Sequence, residues 1–313
     1  MRTTVWLLGD QLAADHPYFQ SIQVQDSLQV LMIESAARMR RLPYHPKKLV
    51  LLFSAMRHRA KALREDGFRV DYRRSDDMLS GLEVHCKQYR PEQIVTMAAS
   101  SFGGEEFLQG LPDRLGLPVK VLPNTQYLSS QFDPTPDIGP DEAVRQEAFY
   151  RAMRRHFGIL MAADGEPEGG QWNYDKQNRK PLPAEANPPE PISFQPDALT
   201  REVMDEIKAL APTFGTLAGF DLAVTSADAE RAADDFFEHR LVHFGTYEDA
   251  MSREHAVLYH SKLSPYLNLG LLDPLDLAQR AEAAYQAGRV TLNNAEGFIR
   301  QVIGWREYLF WQY

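Results

Sequence analysis

The first ~125 residues alternate short apolar runs with helix-length polar stretches. The runs are TVWLLG (Thr4–Gly9), LQVLMIE (Leu28–Glu34), KLVLLFS (Lys48–Ser54), FRVDYRR (Phe68–Arg74), QIVTMAA (Gln93–Ala99) and VKVLP (Val119–Pro123). They lack strict polar alternation, as expected of strands covered on both faces. The stretches between them carry helix stops, such as Gly67 after AMRHRAKALRED and Pro91 after DDMLSGLEVHCKQYR. The pattern predicts a doubly wound, Rossmann-like parallel α/β sheet of six strands.

The rest of the chain reads differently. A helix with basic clusters is expected from Asp141 to Leu160. A Pro-, Gly- and Asn-rich stretch then runs to Pro196, and its Trp172 and Tyr174 suggest that it packs down. From Asp197 the pattern is helical. Thr225 or Ser226 and Asp273 stand as N-caps, Pro274 at a first helical position, and Gly288 after a helix end. The expected organisation is an α/β domain over 1–135, a connecting helix and linker over 136–198, and the first part of an all-α domain over 199–313.

Composition narrows the function. The 313 residues carry a formal charge of −9, which argues against a general nucleic-acid binder. Three basic runs, Arg38–Arg41, Arg57–Arg64 and Arg151–His156, read as solvated helix faces. The longest apolar runs fall far short of the ~20 residues of a membrane helix. No signal sequence is evident, and the single cysteine, Cys86, gives no disulfide framework. A cytoplasmic protein with no membrane partner is expected. No metal site is predicted: His239 and His243 in HRLVH lack the glutamate of a zinc protease.

Three places can carry chemistry. At the end of the first strand lie Gly9, Asp10 and Gln11, and Glu34 ends the second. Strand ends of this kind host ligands, although capping of neighbouring helices accounts for both carboxylates equally well. In HSKLSP, Ser261, Lys262 and Ser264 place hydroxyls and a cation at a helix start, which suits phosphate or a plain cap. The last helix holds Arg300, Arg306 and Glu307 among residues apolar on almost every face, so these charges need partners or a ligand.

Together, HSKLSPYLNLGLL (His260–Leu272), EGFIRQVIGWREY (Glu296–Tyr308), LLGDQL (Leu7–Leu12), YHPKKLVLLFSAMRH (Tyr44–His58) and GGQWNYDKQNRKPLP (Gly169–Pro183) resemble the photolyase/cryptochrome family. The similar branch is the bacterial photolyase-related proteins, with iron–sulfur cryptochromes and prokaryotic (6-4) photolyases. The resemblance runs from Thr4 to Tyr313. It implies an antenna domain followed by a helical FAD-binding domain that continues beyond this chain. It implies FAD as cofactor, with Tyr247, His260, Ser261, Lys262, Leu263 and Ser264 at its phosphates. Trp305 and Arg306 would lie beside flavin and lesion. A lumazine antenna would sit near Gly9, Asp10, Gln11 and Glu34. An iron–sulfur cluster would need cysteines outside this chain.

The implied activity is that of a carbon–carbon lyase. Reduced, light-excited FAD donates an electron to a pyrimidine lesion in UV-damaged DNA. Two departures stand out: Arg38 stands where antenna-binding relatives tend to be acidic, which bears on the lumazine, and Ala98–Gly104 replaces the Glu-Pro and Glu-aromatic-Arg loop of many relatives. Val302 stands at a glutamate position of cyclobutane-dimer enzymes, which leaves (6-4) repair or signalling. The alternatives are a blue-light photoreceptor without repair and an α/β binding module without flavin. No protein partner follows from the sequence.

Overall fold

A computed structural model describes residues 2–14, 16–20, 28–135, 143–209 and 214–313. Two compact units divide the chain. The first comprises Met1–Thr125, Ser193–Ala229 and Asn268–Leu271; the second comprises Gln126–Ile192, Glu230–Leu267 and Leu272–Tyr313. The segment Ser193–Ala229 thus groups with the sheet rather than with the helices that follow it.

The first unit is built on a five-stranded sheet of β1 (Thr3–Leu7), β2 (Leu28–Ser35), β3 (Arg69–Ser75), β4 (Gln93–Met97) and β5 (Val119–Leu122). Its order is β3-β2-β1-β4-β5, and every pairing is parallel. This is the doubly wound α/β arrangement that the apolar runs predict. Order reverses between β1 and β4, which opens a crevice at their carboxyl ends. Trp6, Leu31, Ile33, Leu82, Ile94, Leu108 and Leu111 form one buried cluster. Each such side chain contributes about 1.5–3 kcal/mol through burial.

The predicted third strand, Lys48–Ser54, is instead the first half of the 20-residue helix Pro46–Glu65. A short continuous apolar run has no periodicity that separates strand from buried helix. The helix start decides it. His45 Nδ1 accepts from Lys47 N at 3.2 Å, and Pro46 takes a first-turn position where no N–H is required. The stop at Gly67 (φ +89°) is as expected.

In the second unit the helix Gln146–Phe157 lies inside the predicted 141–160 span, whose first two residues fall outside the described ones. Thr225 is the cap of the helix Ser226–His239, which crosses from the first unit into the second: its Oγ1 accepts from Asp228 N at 3.2 Å. Asp273 caps Pro274–Gln286 in the same way, at 2.7 Å to Asp276 N. The terminal segment runs as helix Leu292–Ile299, a π-helical stretch Arg300–Arg306, and helix Glu307–Gln312. Phe236, Phe244 and Phe298 pack ring against ring at 4.9–5.7 Å and anchor it.

Two of the three basic runs are only partly solvated. Arg154 is 0% exposed and donates to the carbonyls of Ile159, Leu160 and Trp172. The Trp172 ring lies under Arg151, Arg154 and Arg155 at 4.6–5.3 Å, so the linker does pack down. Arg57 is mostly enclosed too, its side chain 10% exposed. Among the described residues no helix is long and apolar enough to cross a membrane.

Candidate functional site

The loop from Tyr259 to Ser264 lies in the second unit, between two short helices, Leu241–Phe244 and Ser264–Leu269. Its shape is set from beneath. Arg240 is 1% exposed; its Nε donates to the His260 carbonyl at 3.3 Å and its Nη1 to Asp235 Oδ2 at 2.7 Å. His260 donates through Nε2 to the Glu248 carbonyl at 3.2 Å. Leu263, Tyr266 and Leu267 are buried and hold the far end. Ser261 Oγ accepts from Leu263 N at 3.3 Å.

Between these anchors Lys262 takes φ +58°, the left-handed region. For a side chain bearing Cβ this costs about 1–2 kcal/mol, so the surroundings must impose it. Ser264 is exposed and opens the short helix, with Pro265 behind it. Tyr247 stacks on Tyr259 with ring centroids 5.5 Å apart, and His243 meets the Tyr259 edge at 4.8 Å. Tyr247, His260, Ser261, Lys262 and Ser264 therefore gather around one loop. Leu263 is part of its buried anchor. Two hydroxyls, an ammonium and an adjoining aromatic pair form a donor set that fits a diphosphate bearing a flat group.

A carboxylate cluster lies in the same unit. Glu296 is 0% exposed and pairs with Arg300 at 3.0 Å. Arg300 also meets Glu147 at 2.9 Å, the Trp172 carbonyl at 3.2 Å and the Tyr150 ring at 4.6 Å. Burial pushes the Glu248 carboxyl up to about 8, assisted by Asp249, Glu296 and Asp175. Its Oε2 and that of Glu296 are buried and meet no hydrogen-bond partner among the described residues. The space is tight: a Cβ on Gly297 would come within 3.3 Å of Glu248 Oε2.

Trp305 and Arg306 sit on the π-helical stretch, a local widening common at functional sites. Trp305 is 43% exposed and meets the edge of the Tyr308 ring at 6.1 Å. Arg306 turns inward. It lies 4.0 Å over the Tyr127 ring, donates to the Gln126 carbonyl at 3.1 Å and pairs with Glu307 at 2.5 Å. Glu307 accepts from Ser129 N and Oγ, both at 3.0 Å. The terminal arginines thus have protein partners, as buried charges require.

In the first unit, Gln11 Nε2 donates to the Ala98 carbonyl at 2.8 Å, and Ser100 Oγ to Asp10 Oδ2 at 2.8 Å. These bonds bridge β1 and β4 across the switch point. Gly9 packs on the long helix, where a Cβ would stand 3.0 Å from Met56 Sδ. Glu34 is held elsewhere. It is 4% exposed and accepts from Arg57 Nε at 2.8 Å, from Arg57 Nη2 at 3.1 Å and from Tyr72 Oη. Burial opposes the Arg57 charge, but Glu34 and Glu206 outweigh it and keep the guanidinium protonated. Asp10 and Glu34 thus have separate partners, and Ser35, not Glu34, caps Ala36–Arg40.

Sequence reasoning missed Arg240, Asp235 and Glu248. A weak signal existed for Arg240, which stands between Phe236–Phe237 and the apolar Leu241, Val242 and Phe244 in FFEHRLVHF.

Residues 5–222 match the family model described as deoxyribodipyrimidine photo-lyase-related protein. The chain is 37% identical over 318 aligned residues to a (6-4) photolyase of Agrobacterium fabrum, covering 99% of this chain and 62% of that protein. It is 40% identical to an uncharacterized protein of Acanthamoeba polyphaga mimivirus over 63 residues, 20% of this chain and 48% of that one. The fold matches a bacterial class III photolyase from Agrobacterium tumefaciens with a TM-score of 0.60 at 16% identity, over 98% of this chain and 58% of that one. The chain spans less than two thirds of the length of these two photolyases. On its family match and its identity to a (6-4) photolyase along nearly its whole length, the chain belongs to the deoxyribodipyrimidine photo-lyase-related family.

Proposed function

We propose that this chain binds FAD and takes part in light-dependent repair of UV-induced pyrimidine lesions of the (6-4) type in DNA. The observation that carries the reading is the 37% identity to a (6-4) photolyase along 99% of the chain. The loop at Tyr259–Ser264 supports it. Ser261 and Ser264 would donate hydroxyls to the cofactor diphosphate, Lys262 would balance its charge, and Tyr247 and Tyr259 would wall its flat group. Bound and reduced, the flavin supplies the electron that a lesion accepts. Trp305, 43% exposed, would stack its indole on a flipped-out base, since stacking of bases on aromatic rings is worth about 1–3 kcal/mol. Arg306, tied to Glu307, would fix the angle of that face. The strand-end pocket at Gly9, Asp10, Gln11 and Glu34 would take an antenna only beside Asp10, because Glu34 is neutralised by Arg57.

The test is a repair assay under blue light on duplexes carrying a (6-4) product or a cyclobutane dimer, with FAD and a reductant. The reading expects loss of the (6-4) product in light and none in darkness. Flavin uptake with neither lesion repaired would leave a photoreceptor as the better account.

A further inference from the structure

The anchor beneath the Tyr259–Ser264 loop has features of a device, not of general packing. A fully buried guanidinium normally faces a carboxylate with both arms. Arg240 gives one arm to Asp235 and spends another on a single backbone oxygen, that of His260. Asp235 in turn accepts from Ile192 N at 3.2 Å, so the end of the linker joins the same network. On the other side His260 is fixed by the Glu248 carbonyl. Two residues past the clasped carbonyl stands Lys262 in its left-handed conformation. A non-glycine residue keeps that conformation only where its neighbours over-determine it.

We propose that Arg240 is a positioning residue: with Asp235 it clasps the His260 carbonyl, fixes the left-handed turn at Lys262, and so holds the loop ready for a diphosphate. This rests on the FAD-binding reading above. A loop ordered only part of the time lowers apparent affinity by the fraction that is competent. Without the clasp, loop order and diphosphate affinity should therefore fall by the same factor. A flavin without phosphates should be indifferent to it.

The experiment uses Arg240→Met, which keeps apolar reach over Phe236, and the milder Asp235→Asn. Amide hydrogen exchange of residues 259–264 is followed on the ligand-free chain. FAD and riboflavin are titrated separately, and the thermal midpoint is recorded. Expected for Arg240→Met are exchange in the loop faster by about tenfold or more, an FAD dissociation constant raised by the same factor, and unchanged riboflavin binding. Arg240→Lys, whose single ammonium cannot span both Asp235 and the His260 carbonyl, should recover part of the protection. Unchanged loop exchange in both the Met and Asn variants overturns the proposal. So does a loss of FAD and riboflavin affinity in step with the thermal midpoint, which marks a merely structural arginine. A wild-type chain that takes up no FAD overturns the function proposed above instead, and the exchange measurement then still decides whether the clasp exists.

Discussion

Glu248 is a carboxyl whose protonation the fold has reversed. Burial, reinforced by Asp249, Glu296 and Asp175, lifts it to about 8 in the folded chain from an ordinary 4.5. Between those values the folded state binds the proton and the unfolded state has released it. Stability contributed by this group is full below about pH 4.5 and falls as pH rises towards 8. Glu248→Gln should flatten that decline and raise the melting temperature at pH 8, by roughly 2–4 °C if it gains about 1 kcal/mol. Thermal melts of both proteins from pH 5 to 8.5 check it; parallel curves contradict it. Glu34, buried in the first unit, is paired with Arg57 at 2.8 Å. Arg57→Ala leaves that buried carboxylate without its main partner and should cost about 3–5 kcal/mol in urea unfolding.

Elements in this chain meet at closely defined points. Gly245 faces the helix Leu292–Ile299 so closely that a Cβ would stand 2.3 Å from the Asn293 carbonyl and 2.9 Å from Asn294 Cα. Both obstacles are backbone and cannot swing away. Gly245→Ala should destabilise by about 1–3 kcal/mol or more and lower the thermal midpoint, whereas Gly103→Ala, in the helix Phe102–Gln109 with nothing within 4 Å of its Cβ, should leave it unchanged or raise it slightly. This scale also shows what the sequence could reveal. Five strands, the Asp273 cap and the Gly67 and Gly288 stops were legible, because period, caps and glycine punctuation are local signals. The Lys48–Ser54 helix was not, since its apolar run looks alike in either state. The loop around Lys262 was legible as a donor cluster. Its clasp was not, because Arg240 and His260 lie 20 residues apart in sequence and meet only through folding. Nor did the charge runs betray which arginines turn inward, as Arg57 and Arg154 do.

For the whole molecule, the family and the parallel α/β fold stand on the matched residues and on the sheet. The chemistry stands on one loop. If that loop holds a dinucleotide by its phosphates, charge at Lys262 must matter to FAD and not to riboflavin. The most direct measurement is an equilibrium titration of the wild-type chain and of Lys262→Glu with FAD and with riboflavin, read by flavin fluorescence. We expect saturable FAD binding by the wild type, at least about tenfold weaker in Lys262→Glu. Riboflavin binding should be the same in both. No FAD binding by the wild type, or equal FAD affinity in the two proteins, would contradict the account.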